Sequence, residues 1–139
     1  MVQTPDGALK LSTLTVSIVT FNSAPVIGDC LQSIPPGMPV YVVDNGSTDD
    51  TLAIVRRLRP DAHILRPRRN LGFGRAHNLV LRRTDTDCVL ILNPDTVLQP
   101  DCVAMLLETA NLYPDAGIVG ALHEQRDGTP NACFRNDHH

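Results

Sequence analysis

The chain has 139 residues, 42% of them hydrophobic, 19% charged and 4% aromatic, with no tryptophan. That is one ordinary domain with a core of Val, Ile, Leu and Ala, and it excludes a disordered or collagen-like chain. The net charge is −3, and the longest apolar runs, residues 40–43 and 89–92, are far short of the roughly 20 residues of a membrane helix.

Residues 1–13 are expected to form an N-terminal tail, because Pro5, Asp6 and Gly7 interrupt the apolar core that a secretory signal needs. Residues 14–21 (LTVSIVTF) are β-branched and apolar and predict a buried strand. Pro25 suits the first turn of a helix whose apolar positions Val26, Ile27, Cys30, Leu31 and Ile34 recur at helical spacing; Pro35 and Pro36 end it. Residues 40–43 predict a second strand, running into Asp44-Asn45-Gly46-Ser47. Ser47 with Asp50 three residues later has the form of a capping box for a helix through Leu52, Val55 and Leu58. A short strand is expected at residues 63–65, then the loop 70–74 and a helix to about Arg83. Residues 88–92 (CVLIL) predict the most buried strand, and they run into Asn93-Pro94-Asp95. A helix over 100–112, a strand over 118–122 and a turn at Gly128 and Pro130 complete the order.

Nine of the 12 basic residues lie between Arg56 and Arg83, where Asp61 is the only acid. Arg56, Arg57, Arg59, Arg82 and Arg83 suit helix C-termini. Arg66, Arg68, Arg69 and Arg75 flank the glycine loop and leave a phosphate partner open. Cys30, Cys88, Cys102 and Cys133 form no C-x-x-C pair, so zinc has no local signature and reduced thiols are expected.

Alternating strands and helices imply an α/β fold, a mostly parallel sheet with helices on both faces. Ligands of such sheets bind beyond the carboxyl ends of the strands. Polar groups gather there: Thr20-Phe21-Asn22, Asp44-Asn45 and Asn93-Pro94-Asp95. Asp44 can accept hydrogen bonds from a ribose or a base, as the acid of dinucleotide folds does, or can serve turn chemistry alone. A dehydrogenase needs GxGxxG after the first strand, where this chain has TFNSAP; its near-match at residues 72–77 follows the third strand and ends in His77. Gly72 and Gly74 ahead of a helix let backbone N–H groups approach an anion, although a tight turn requires glycine equally. His77 there reads as structural or exposed. Asp95 suits a hard cation such as Mg2+ or Mn2+ bridging a diphosphate, or an Asx-type turn.

VSIVTFN, VVDNGSTD, NLGFGRAHN and LNPDT, in this order at the strand ends, resemble glycosyltransferase family 2 with its GT-A fold. The nearest likeness is to the rhamnosyltransferase-like branch of bacterial cell-surface polysaccharide synthesis. The resemblance implies that Thr20, Phe21, Asn22 and Asp44 hold the nucleoside. Asn70, Gly72, Gly74 and Asn78 would lie along the base and diphosphate, with Asn45 and Asn93 in the same site. Asn93-Pro94-Asp95 matches the family's DxD motif, with Asn93 in place of the first acid and Asp95 as the contact to Mg2+ or Mn2+. The implied reaction is inverting transfer from dTDP-rhamnose or a UDP-sugar to a saccharide or polyprenyl-linked acceptor. The family's general base belongs to an ED-type motif, and no Glu-Asp pair occurs in this sequence. The chain is therefore expected to be a truncated GT-A fold: a donor-binding domain over 14–135 with a short tail over 136–139, inactive by itself. No nucleic-acid partner is expected, weak self-association at an open strand edge is, and the implied location is the cytoplasm, at the inner face of the membrane for the full-length protein. A nucleotidyltransferase, which needs a G-x-G-T-R-like loop after the first strand, and a non-catalytic nucleotide-binding module are the alternatives.

Overall fold

The computed structural model describes residues 9, 13–121, 123–125 and 127–128. Strands and helices alternate: β1 (Leu14–Thr20), α1 (Ala24–Ser33), β2 (Val40–Asp44), α2 (Thr51–Leu58), β3 (His63–Leu65), α3 (Gly72–Leu81), β4 (Cys88–Leu92) and α4 (Cys102–Leu112). The four strands pair in parallel in the order β3-β2-β1-β4. The chain steps outward from β1 to β2 to β3 and then crosses to the other side of β1. The strand order therefore reverses between β1 and β4, and beyond the carboxyl ends of those strands such a sheet leaves its crevice.

Strand periodicity divides the core into two layers. Val16 and Ile18 of β1 and Val40 and Val42 of β2 face Ile27, Leu31 and Val55 of α1 and α2, with Val103 and Leu107 of α4 joining the same cluster. The intervening Tyr41 and Val43 face Ala76 and Val80 of α3. Being covered on both faces, β1 is the most deeply buried strand. In α1, Ile27, Cys30 and Leu31 are buried as their spacing requires, while Val26 faces out.

Four sequence expectations change. β4 is less buried than β1, because it lies at the sheet edge; Ile91 is half exposed. No strand forms over residues 118–121, where Ile118 is 93% exposed, and Leu122 lies outside the described residues. That segment finds no partner on β4, and the edge borders an open groove of about 720 Å³ lined by Leu14, Leu90, Ile91 and Ile118, among others. Ser47 does not cap α2, whose N-terminal residue Thr51 is bonded by Asp49 instead. Leu9, within the expected tail, is buried because the Asn111 side chain of α4 brackets its backbone: the Leu9 N–H donates to Oδ1 at 2.8 Å and Nδ2 donates to the Leu9 carbonyl at 3.5 Å. The turn at Gly128 forms, with its N–H bonded to the Gln125 carbonyl; Pro130, Cys133 and residues 136–139 lie outside the described residues. Cys30, Cys88 and Cys102 are free thiols.

Ile18→Ala removes a side chain enclosed from both strands and α1, and is expected to cost about 2–5 kcal/mol. Ile91→Ala at the exposed edge should stay within about 0.5 kcal/mol. Urea unfolding of the two variants measures the contrast; similar losses would refute the assignment of β1 as the central strand.

Candidate functional site

Parallel register brings the ends of β1 and β2 level, with Thr20 opposite Asp44, and the Asn45 N–H closes the pair on the Thr20 carbonyl at 2.9 Å. The Asp44 carboxylate is fully buried. Gly46, at φ +104°, turns the chain so that the Ser47 N–H points back at both Asp44 oxygens, 3.3 and 3.2 Å away. Only glycine takes that conformation without strain. Nε of Arg66 lies 3.6 Å from Asp44 Oδ2, and its side chain is 56% exposed, so this ion pair sits at the rim where water screens it. The Thr20 hydroxyl is buried and has no hydrogen-bond partner among the described residues. An unpaired buried hydroxyl costs about 1–3 kcal/mol, which a ligand group would relieve. Phe21 beside it is exposed, leaving a ring face open at the strand end.

Asn22 occupies the left-handed region at φ +48°. Its Oδ1 accepts from the N–H groups of Thr48 (2.8 Å) and Asp49 (3.4 Å), and its own N–H donates to Ser47 Oγ at 2.8 Å. Asp49 in turn accepts from the Thr51 hydroxyl and from the N–H groups of Thr51 and Ala24. The Thr51 hydroxyl bond foremost, then the backbone bonds, holds the Asp49 carboxyl below the usual range. The Asn22 carboxamide thus clasps the loop that presents Asp44.

Asn45 is also committed to backbone. Its Oδ1 accepts from the Leu71 N–H at 3.1 Å and its Nδ2 donates to the Gly72 carbonyl at 3.2 Å, tying the start of α3 to the end of β2. Asn70 Oδ1 accepts from the Gly72 N–H at 2.8 Å, and Gly72 has φ +74°. A side chain at Gly74 would meet nothing within 4 Å, so the exposed start of α3 is open to a close approach. Asn78 is exposed and lines a groove of about 470 Å³ with Arg69, Leu71, Arg75, Leu79 and Arg82, rather than bonding to the strand-end groups. His77 beside it is buried under the sheet, with Nδ1 2.7 Å from Ser17 Oγ and its ring edge-on to Phe73. Sequence reading missed the Ser17 partner; the one hydroxyl midway along an apolar strand was its only signal.

At the end of β4 the Asn93 carbonyl accepts from the Thr96 N–H at 3.0 Å and from the Cys30 thiol at 3.5 Å. Burial, and then the Asp95 carboxylate, push the Cys30 thiol up to about 12, which keeps it a protonated donor. Ser33 Oγ donates to the Cys30 carbonyl at 2.7 Å and accepts from the Leu98 N–H at 3.0 Å. The Asn93 and Asp95 side chains are exposed beyond the strand. No group of three His, Cys, Asp or Glu converges among the described residues. One carboxylate and one amide oxygen are hard donors that fit Mg2+ or Mn2+, yet too few to hold the ion alone. Such ions are commonly bound by one or two carboxylates together with substrate phosphates.

A family model, glycosyl transferase family 2, matches residues 15–133. The chain belongs to this family. It is 30% identical over 131 residues to the N-acetylglucosaminyl-diphospho-decaprenol L-rhamnosyltransferase of Mycobacterium tuberculosis, covering 84% of this chain and 43% of that protein. It is 34% identical over 112 residues to an N-acetylglucosaminyltransferase of Mesorhizobium japonicum, covering 73% of this chain and 26% of the relative. Among solved structures, S. aureus TarS 1-349 in complex with UDP-GlcNAc superposes with a TM-score of 0.64 at 25% identity, over 73% of this chain and 32% of that one. The Mycobacterium tuberculosis glucosyl-3-phosphoglycerate synthase with Mn2+, UDP and glucosyl-3-phosphoglycerate gives 0.59 at 26% identity, over 68% and 38%. The GT-A fold is thereby established for the α/β sheet. The chain spans less than half the length of each of these relatives.

Burial lowers the pKa of His77 below the ordinary 6.5. Between the lowered folded value and 6.5 the unfolded chain binds more protons, so stability rises with pH there. Stability is expected to be full above about 6.5 and to fall as pH drops through that interval, and His77→Gln should flatten the fall. Urea midpoints across that interval test this; an unchanged slope in the variant would exonerate His77.

Proposed function

We propose that this chain is the donor-binding part of an inverting glycosyltransferase that takes a nucleoside-diphosphate sugar, dTDP-rhamnose or a UDP-sugar, together with Mg2+ or Mn2+. The acceptor would be a saccharide or polyprenyl-linked sugar in cell-surface polysaccharide synthesis. One observation carries the reading: a buried carboxylate, Asp44, stands level with a buried, unpartnered hydroxyl, Thr20, at the carboxyl ends of neighbouring parallel strands. A nucleobase supplies an N–H for the carboxylate and a carbonyl for the hydroxyl, while Phe21 offers a stacking face. From there the diphosphate would run toward Asn93 and Asp95, past the open backbone at Gly74. Support comes also from the UDP-containing complexes of TarS and glucosyl-3-phosphoglycerate synthase.

On this chain the work of the site is binding and orientation. Asp44 accepts from the base, Thr20 fills its missing hydrogen bond, and Asn22 and Asn45 keep both in place from behind. Asp95 and Asn93 would hold the cation, which when bound would supply positive charge to the leaving diphosphate.

UDP or dTDP is expected to shift the amide signals of residues 20–22, 44–46 and 93–95 in a residue-resolved NMR titration, and NAD is not. Asp44→Asn should weaken metal-free nucleotide binding about tenfold or more, the scale of one hydrogen bond to a charged group. Selective NAD shifts around Gly72–Gly74, or unaltered affinity in the variant, would overturn the reading.

A further inference from the structure

The turn at Asn93-Pro94-Asp95 has little to hold it from its own side chains. Asn93, Asp95 and Val97 are exposed, β4 has already ended at Leu92, and only Leu98 returns to the core. Apart from the turn's own bond, Thr96 N–H to the Asn93 carbonyl, its fixed points lie on another element. The Cys30 thiol holds the Asn93 carbonyl and the Ser33 hydroxyl holds the Leu98 N–H, so one turn of α1 grips the segment at both ends. The Ser33 bond is directional: its proton goes to the Cys30 carbonyl 2.7 Å away, which leaves a lone pair to accept from Leu98.

We propose that Ser33 is a positioning residue for the cation site: through Leu98, and with Cys30 holding Asn93, it sets where Asp95 stands relative to the diphosphate. The inference rests on the reading of Asp95 as the cation contact. Metal and phosphate contacts tolerate displacements of only about half an ångström, so a slack turn loses cation-dependent affinity first. The nucleoside contacts at Thr20 and Asp44 hang on β1, β2 and the 45–51 loop, and none of their hydrogen bonds passes through Ser33. Ser33 touches no ligand itself; it acts from the far end of α1.

The test is calorimetry of UDP and dTDP binding to the 139-residue chain, with and without Mn2+, in Ser33→Ala, Ser33→Thr and Asp95→Asn. Ser33→Ala is expected to cut the Mn2+ enhancement about fivefold, the scale of one net hydrogen bond, with metal-free affinity unchanged. Ser33→Thr keeps the hydroxyl and should restore the enhancement. Hydrogen exchange gives a readout without metal: the Leu98 amide should exchange faster in Ser33→Ala and at the native rate in Ser33→Thr. If Asp95→Asn abolishes the enhancement while Ser33→Ala retains it, the positioning role is refuted and the cation reading stands. If Asp95→Asn keeps the enhancement, the cation reading falls and takes the positioning role with it. Equal losses with and without Mn2+ in Ser33→Ala would mark a merely structural residue and also refute the proposal. Should Ser33→Ala fail to fold, Cys30→Ala carries the same expectation at the other end of the turn, with Cys30→Ser as its rescue.

Discussion

The side-by-side register of β1 and β2 is the constraint on which the site depends. Pairing Thr20 with Asp44 puts a hydroxyl and a carboxylate at one level, at the last pair of the ladder, where side chains look out past the strand ends. A slip of one residue would send every side chain of β2 to the opposite face. Val40 and Val42 would leave the α1/α2 layer and Asp44 would lose its place. The apolar alternation of the two strands therefore defends the polar geometry at their ends.

Around that pair, some residues are exposed with no side-chain bond to a loop among the described residues, and others hold the loops in place. Phe21, Gly74, Asn93 and Asp95 are exposed at the strand ends or at the start of α3. Asn22 and Asn45 spend their carboxamides on backbone groups of neighbouring loops. An amide side chain suits this work: Asn45 accepts and donates at once, and the Asn22 oxygen accepts from two loop N–H groups that the sheet cannot reach. The positive φ at Asn22 is part of the same arrangement: Asn tolerates the left-handed region better than a bulkier residue, and there it can address residues 48 and 49.

Helix α1 joins the two halves of the site. Its first residues meet the 45–51 loop, where Asp49 receives the Ala24 N–H and Thr51 receives the Ser23 N–H. Its last turn meets the segment after β4 through Cys30 and Ser33. The buried face of the helix, Ile27 and Leu31, anchors both ends to the β1/β2 core. One element thereby relates the Thr20–Asp44 end of the site to the Asn93–Asp95 end, without either end contributing much apolar burial.

Much of this was legible in the sequence. Alternating apolar strands, helical spacing in α1 and α2, and Pro and Gly at their borders determine the element order, because these are local steric and hydrophobic preferences. The strand-end positions of Thr20, Asp44 and Asp95 follow from that order, and so do the four motifs that resemble family 2. Non-local competition decided the rest. Residues 88–92 look like a central strand by composition but lie at the edge, since burial depends on which strands flank them. Residues 118–121 have strand-like composition yet form no strand, although the outer edge of β4 is open. Ser47 has the spacing of a cap, yet Asn22, 25 residues earlier, takes its hydroxyl. The carboxamides of Asn22 and Asn45, expected at the ligand, are found clasping loop backbone, and Ser17, Cys30 and Ser33 acquired partners 60 to 65 residues away. A side chain's hydrogen-bond partner is settled only when the sheet closes and brings distant backbone groups within 3 Å or so; sequence spacing carries no record of that distance.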